Sequence, residues 1–80
     1  MKEIVILGAG KIGRMVCHFM STARTDNAPS YSVRIGDAAQ DAIDHIKKEY
    51  SDVRGQVVDF SDAASVDAIL KGAWAVISCA

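Results

Sequence analysis

The chain has 80 residues, half of them hydrophobic and 24% charged, with 9 basic against 10 acidic side chains and a formal charge of −1. That length allows one small domain, near the size at which burial only just outweighs chain entropy. The even charge balance argues against a nucleic-acid surface or a disordered tail, and the longest apolar runs, Ile4 to Leu7 and Ala73 to Ile77, fall far short of a membrane span.

The start lacks a signal peptide's basic end and long apolar stretch, so a cytoplasmic protein is expected. Cys17 and Cys79 are isolated, without metal-ligand spacing, which fits a reducing compartment and packing roles. His18 and His45 fall on the polar faces of their helices and are not read as metal ligands or general bases, and no Ser-His-Asp or Cys-His arrangement suggests covalent catalysis.

In chain order, Ile4-Val5-Ile6-Leu7 has the length and apolarity of a buried strand, and Gly8-Ala9-Gly10-Lys11-Ile12-Gly13 follows it directly. Ile12, Met15, Val16 and Phe19 then recur at helical spacing, with Met20 and Ala23 widening the stripe. A glycine-rich turn between strand and helix is the dinucleotide fingerprint. Gly8 permits the tight turn, Gly10 lets backbone approach a pyrophosphate, and Gly13 lets the helix pack closely on the strand. Amides of the first helical turn, with Ala9, Lys11 and Ile12 in the variable positions, then face the phosphates. Lys11 and Arg14 are basic and close to the glycines. A phosphate clamp competes there with an ordinary solvated helix surface.

Ser21 to Ser30, with Asp26, Asn27 and the only proline, Pro29, reads as a loop. Tyr31 to Ile35 reads as a second strand ending at Gly36-Asp37, and Ala39, Ala42, Ile43, Ile46 and Tyr50 as a second helical stripe. Arg54 to Val58 is a third strand. Ser61 to Leu70 is a third helix, capped by Ser61 or Asp62 and stopped by Lys71-Gly72, with Val66, Ile69 and Leu70 inward. Ala73 to Ser78 closes the chain as a fourth strand, and Trp74 at its start is read as a packing residue. The alternation of strand and helix predicts an α/β fold: a Rossmann-like parallel sheet of four strands in the order 3-2-1-4, with helices on both faces. The usual doubly wound fold has more strands, so residues 1 to 80 read as the amino-terminal part of a dinucleotide-binding domain whose substrate domain lies elsewhere.

Asp37, at the carboxyl end of the second strand, takes the ribose position, where a carboxylate accepts from the adenosine hydroxyls and repels a 2′-phosphate. NAD is therefore the expected cofactor, with NADP the second choice. No arginine directly follows Asp37, and Arg34 sits within the strand. A competing role for Asp37 is to cap the second helix in a capping-box-like pair with Gln40. Asp59 and Phe60, at the end of the third strand, lie where an adenine ring would be held. Asp59 with Ser61 equally makes a turn, and Phe60 equally a core residue.

The opening Ile4-Val5-Ile6-Leu7-Gly8-Ala9-Gly10-Lys11-Ile12-Gly13, the Val57-Val58-Asp59-Phe60-Ser61-Asp62 junction and the ending Leu70-Lys71-Gly72-Ala73-Trp74-Ala75-Val76-Ile77-Ser78-Cys79-Ala80 resemble the amino-terminal part of the saccharopine dehydrogenase family. The resemblance spans nearly the whole chain. It implies an NAD(P)-dependent oxidoreductase that makes or cleaves a secondary amine between an amino acid and a keto acid by hydride transfer. It carries over to the three glycines, to Asp37 at the ribose, to Asp59 near adenine, and to the Ser78, Cys79 and Ala80 backbone near the cofactor. Substrate groups come largely from a later domain in such enzymes, so no catalytic residue is assigned here. The partners expected are the dinucleotide and the remainder of the parent chain, with oligomerisation left open.

The main alternative is a nucleotide-sensing regulatory domain like those of potassium channels and transporters. Those usually carry a glycine-aspartate pair after the third strand, where this chain has Val58-Asp59-Phe60. A short-chain, NmrA-like fold fits poorly, since its glycine spacing commonly has an additional residue before the last glycine.

Overall fold

The computed structural model describes residues 1–79. In chain order the elements are β1 (Lys2–Leu7), α1 (Lys11–Thr22), β2 (Arg24–Thr25), β3 (Ala28–Pro29), β4 (Tyr31–Asp37), α2 (Gln40–Glu49), β5 (Arg54–Val57), α3 (Ala63–Leu70) and β6 (Ala75–Ser78). The main sheet runs β5-β4-β1-β6 with every pairing parallel, which is the expected 3-2-1-4 order of its four strands.

Register explains why β1 is apolar without alternation. Ile4 pairs with Val33 and Ile6 with Ile35, and these four side chains face α1 and α2, packing with Cys17, Ile43 and Ile46. Val5 points through the other face onto Val58 and Ile69, where α3 lies. A central parallel strand covered on both sides must be apolar at every position. Residues of β4 alternate likewise: a Cβ on Gly36 would lie 2.5 Å from Cδ1 of Ile69 and 2.8 Å from Cγ2 of Val58, so only glycine lets α3 approach there.

The structure departs from the sequence-based expectation at three places. The segment from Ser21 to Ser30 is not all loop: α1 continues to Thr22, and β2 and β3 pair antiparallel as a short hairpin. Asp26 and Asn27 form its two-residue turn with φ of 51° and 67°, the left-handed conformations that a tight hairpin needs and that Asp and Asn tolerate. The second difference concerns α1, whose inward face carries Gly13, Val16, Cys17 and Met20. Ile12, Met15 and Phe19, expected inside, are 57%, 51% and 60% exposed. Third, β6 begins at Ala75 rather than Ala73, so that Trp74 precedes the strand and does its packing at the surface. It is stacked against Tyr31 with ring centroids 6.4 Å apart and lies 4.4 Å beneath Lys2 Nζ.

Among the described residues, no helix is long and apolar enough to cross a membrane.

Candidate functional site

Parallel topology brings the carboxyl ends of β1, β4, β5 and β6 to one edge, so Gly8, Asp37, Val58-Asp59 and Ser78-Cys79 converge there although they are far apart in sequence. The chain leaves β1 at Gly8, whose φ of 108° lies in the region that suits glycine, and whose amide donates to the Gly36 carbonyl at 2.7 Å. Helix α1 then starts at Gly10, whose carbonyl accepts the first helical bond from the Arg14 amide at 2.9 Å.

The three glycines have three physical reasons. Gly8 supplies the conformation. At Gly13 an added Cβ would overlap the Gly8 carbonyl, so the helix lies against the turn at a distance that excludes any side chain. At Gly10, by contrast, an added Cβ would meet nothing within 4 Å, so this glycine borders open space. No side chain caps α1, and no acidic residue occupies its first turn. The amides of Lys11, Ile12 and Gly13 therefore head the helix without a side-chain acceptor of their own, an arrangement suited to an anion.

Asp37 is held more firmly than the sequence suggests. Its Oδ1 accepts the Ala9 amide at 2.8 Å and its Oδ2 accepts the Ala39 amide at 2.9 Å. The capping-box pairing does not form: Ala39 is the N-cap of α2, and Gln40 donates instead to Asp44 at 2.8 Å. Arg34 points away from this edge. Its Nε donates to Glu3 at 3.3 Å and its Nη1 to the Ile69 carbonyl at 2.6 Å, on the α3 side of the sheet.

Arg14 pairs with Glu49 at 3.1 Å, both side chains half-exposed, and it lines a shallow cavity of about 330 Å³ with Ala9, Asp41, Ala42 and His45. Lys11 and Ile12 are exposed. Asp59 accepts the Ser61 hydroxyl at 2.6 Å and the Ser61 amide at 3.0 Å through one oxygen, and these bonds hold its carboxyl below the usual carboxylate range. The turn role expected for Asp59 is thus present. Phe60 is 41% exposed, not core. Cys79 bonds its amide to the Leu7 carbonyl at 2.7 Å and brings its Cβ to 3.8 Å from the point where a Gly13 Cβ would stand, so the end of β6 adjoins the turn. Ser78 is exposed, and Ala80 lies outside the described residues.

His18 is occupied elsewhere, its Nδ1 lying 3.0 Å from the Tyr50 hydroxyl. A larger hollow of about 710 Å³, lined by Lys2, Tyr31 and Trp74 among others, opens at the opposite edge of the sheet, away from the glycines. The Asp37–Ala9 bond is the feature that sequence reasoning missed. It joins residues 28 apart and leaves no local trace in composition or spacing.

No curated protein matches this chain. The family model described as saccharopine dehydrogenase NADP binding domain matches residues 4–80, a span that takes in most of β1, the glycine turn, β4, β5, β6 and the helices α1, α2 and α3. The chain belongs to the saccharopine dehydrogenase NADP-binding domain family, a Rossmann-like, dinucleotide-binding fold.

Proposed function

We propose that the chain is the cofactor-holding part of a saccharopine-dehydrogenase-like oxidoreductase, with the dinucleotide pyrophosphate over the Gly8 to Gly13 turn and the adenosine ribose beside Asp37. The observation that carries this reading is the uncapped start of α1 bordered by open space at Gly10, next to a glycine at position 13 that no other residue can replace without displacing the turn. Bare amides and a helix dipole supply the charge complement to phosphate, and the missing Cβ at Gly10 supplies the room. When bound, the nicotinamide supplies a hydride donor or acceptor. The chain's own part is to bind and orient the cofactor, with Asp59 and Phe60 bordering the adenine and the Ser78-Cys79 backbone flanking the pyrophosphate. Chemistry at the substrate belongs to residues outside these eighty.

NADP is the cofactor that the family's description favours. The ribose end of this chain carries the opposite charge to what a 2′-phosphate needs. Asp37 is held by two backbone amides, Asp41 lines the adjoining cavity, Arg14 on the same cavity is paired with Glu49, and Arg34 is turned to Glu3 and Ile69. Two like unit charges about 4 Å apart repel by about 1 kcal/mol in bulk water and by about 4 kcal/mol at the effective dielectric of a protein surface. NAD is therefore read as the tighter ligand. Paired titrations of NADH and NADPH, followed by nucleotide fluorescence, test this, with NADH expected to bind about tenfold more tightly. Tighter NADPH binding would overturn the charge argument and keep the pyrophosphate site; binding of neither nucleotide by the folded chain would overturn both.

A further inference from the structure

Asp37 does two things that a ribose contact alone does not require. Its two oxygens each accept a backbone amide, one from the turn after β1 (Ala9) and one from the turn after β4 (Ala39). The chain leaves the sheet at both places, and one short carboxylate ties them together. Ala9 is only 4% exposed, so its amide has little access to water should the carboxylate be lost, and a buried amide without an acceptor is strongly disfavoured. The bond also occupies the Ala9 amide, leaving Lys11, Ile12 and Gly13 as the amides that head the helix.

We infer that Asp37 is a positioning residue for the phosphate cradle: by holding the Ala9 amide it fixes the glycine turn in the shape that binds the pyrophosphate, independently of any contact with ribose. The requirement is for two acceptors on one short side chain. Asparagine offers one oxygen and sets an amino group against the other amide, alanine offers none, and glutamate places its oxygens one methylene too far out. The acid at this position thus has a structural reason that is separate from discrimination between NAD and NADP. In its ligand arm the inference rests on the dinucleotide reading above.

The test uses the 80-residue chain and its Asp37→Asn and Asp37→Ala variants. Each is titrated with NADH and with an NADH analogue lacking both adenosine ribose hydroxyls. If Asp37 positions the cradle, affinity for the analogue falls in the order wild type, Asn, Ala, by about tenfold or more at the last step from wild type. If Asp37 acts only through the ribose, the analogue binds all three proteins equally, which overturns the inference. Amide hydrogen exchange gives a readout that needs no ligand. Ala9 in the wild-type chain is expected to exchange at least about tenfold more slowly than an unprotected amide, and to lose that protection in Asp37→Ala while Val5 and Ile35 keep theirs. An unprotected Ala9 amide in the wild-type chain overturns the inference even if neither variant folds. A wild-type chain that binds neither nucleotide defeats the ligand reading and the cradle role with it, and the exchange result then decides only whether Asp37 holds the Ala9 amide.

Discussion

Gly13 lies directly against the Gly8 carbonyl, so that the first turn of α1 and the last residue of the β1 exit share a space with no room for a methyl group. The obstacle is backbone on both sides, and neither partner can rotate aside as a side chain would. Gly13→Ala is expected to cost about 3 kcal/mol, the upper part of the range for overpacking, read as a lower urea midpoint with an unchanged slope. A midpoint equal to that of the parent chain would show that the turn yields.

Gly10 is the complementary case. Its φ of −76° suits any residue, and nothing stands within 4 Å of where a Cβ would be. Gly10→Ala should therefore leave stability within about 0.5 kcal/mol of the parent, as a surface change does. Dinucleotide affinity should nevertheless fall by about tenfold or more, because the methyl group occupies the space assigned to the phosphates. Titration of the folded variant with NADH checks this, and unchanged affinity would remove Gly10 from the site.

These two glycines also show which parts of the molecule could be read from the sequence. The apolar run Ile4 to Leu7, the fingerprint spacing and the alternation of strand and helix led to the observed sheet order, since a parallel sheet with short connections has few ways to be wound. The inward face of α1 was not legible from periodicity, because the helix carries two apolar stripes, Ile12-Met15-Phe19 and Val16-Met20. The close approach at Gly13 chooses between them: once that residue faces the turn, Cys17 follows four residues on and Val16 and Met20 flank it, leaving the other stripe outside. The hairpin at Asp26-Asn27 was missed because no alternating apolar residues flank its turn. Arg34 and Asp37 found partners distant in sequence, which no local pattern encodes.

Asp62 caps α3, accepting the Ala64 amide at 3.1 Å, and that helix has only 8 residues and one fully buried side chain, Ile69. A helix so short has little else to offset the unpaired amides of its first turn. Asp62→Ala should lower stability by about 1 kcal/mol in urea unfolding, while Asp62→Ser should recover most of the loss. Equal losses for both substitutions would mean that the hydroxyl does not replace the carboxylate as a cap.

Cys17 and Cys79 should differ sharply in reactivity. Cys17, on the inward face of α1, is 0% exposed, and burial pushes its thiol up to about 11. At pH 8 only about one Cys17 thiol in a thousand would be thiolate, and the reagent has no path to it. Cys79 is only partly buried. Iodoacetamide at pH 8 should label Cys79 in the native chain and reach Cys17 only after addition of denaturant, as peptide mapping by mass spectrometry would record. Rapid labelling of Cys17 in native buffer would show that the α1 face opens readily.

Glu3 ties three strands together. Its carboxylate on β1 meets Arg34 of β4 at 3.3 Å and also bonds Arg54 of β5. Burial alone would raise the Glu3 carboxyl, but Arg54, Ser32 and Arg34 together outweigh it and hold the group below its ordinary value of 4.5. A carboxyl depressed in the folded state releases its proton more readily there than in the unfolded chain, so the unfolded chain binds more protons in the acid range. The stability gained from Glu3 is thus fully present above about pH 4.5 and is lost as pH falls through the lower, folded-state value. Glu3→Gln should cost about 1 kcal/mol at pH 7, since Glu3 is partly buried and Arg54 half-exposed, and the difference from the parent should shrink towards zero as pH falls below 4. Urea midpoints for the two proteins between pH 7 and pH 3 would measure it. A gap that stays constant across that range would mean that glutamine loses packing rather than charge, and that the two arginines are held by solvent instead of by Glu3.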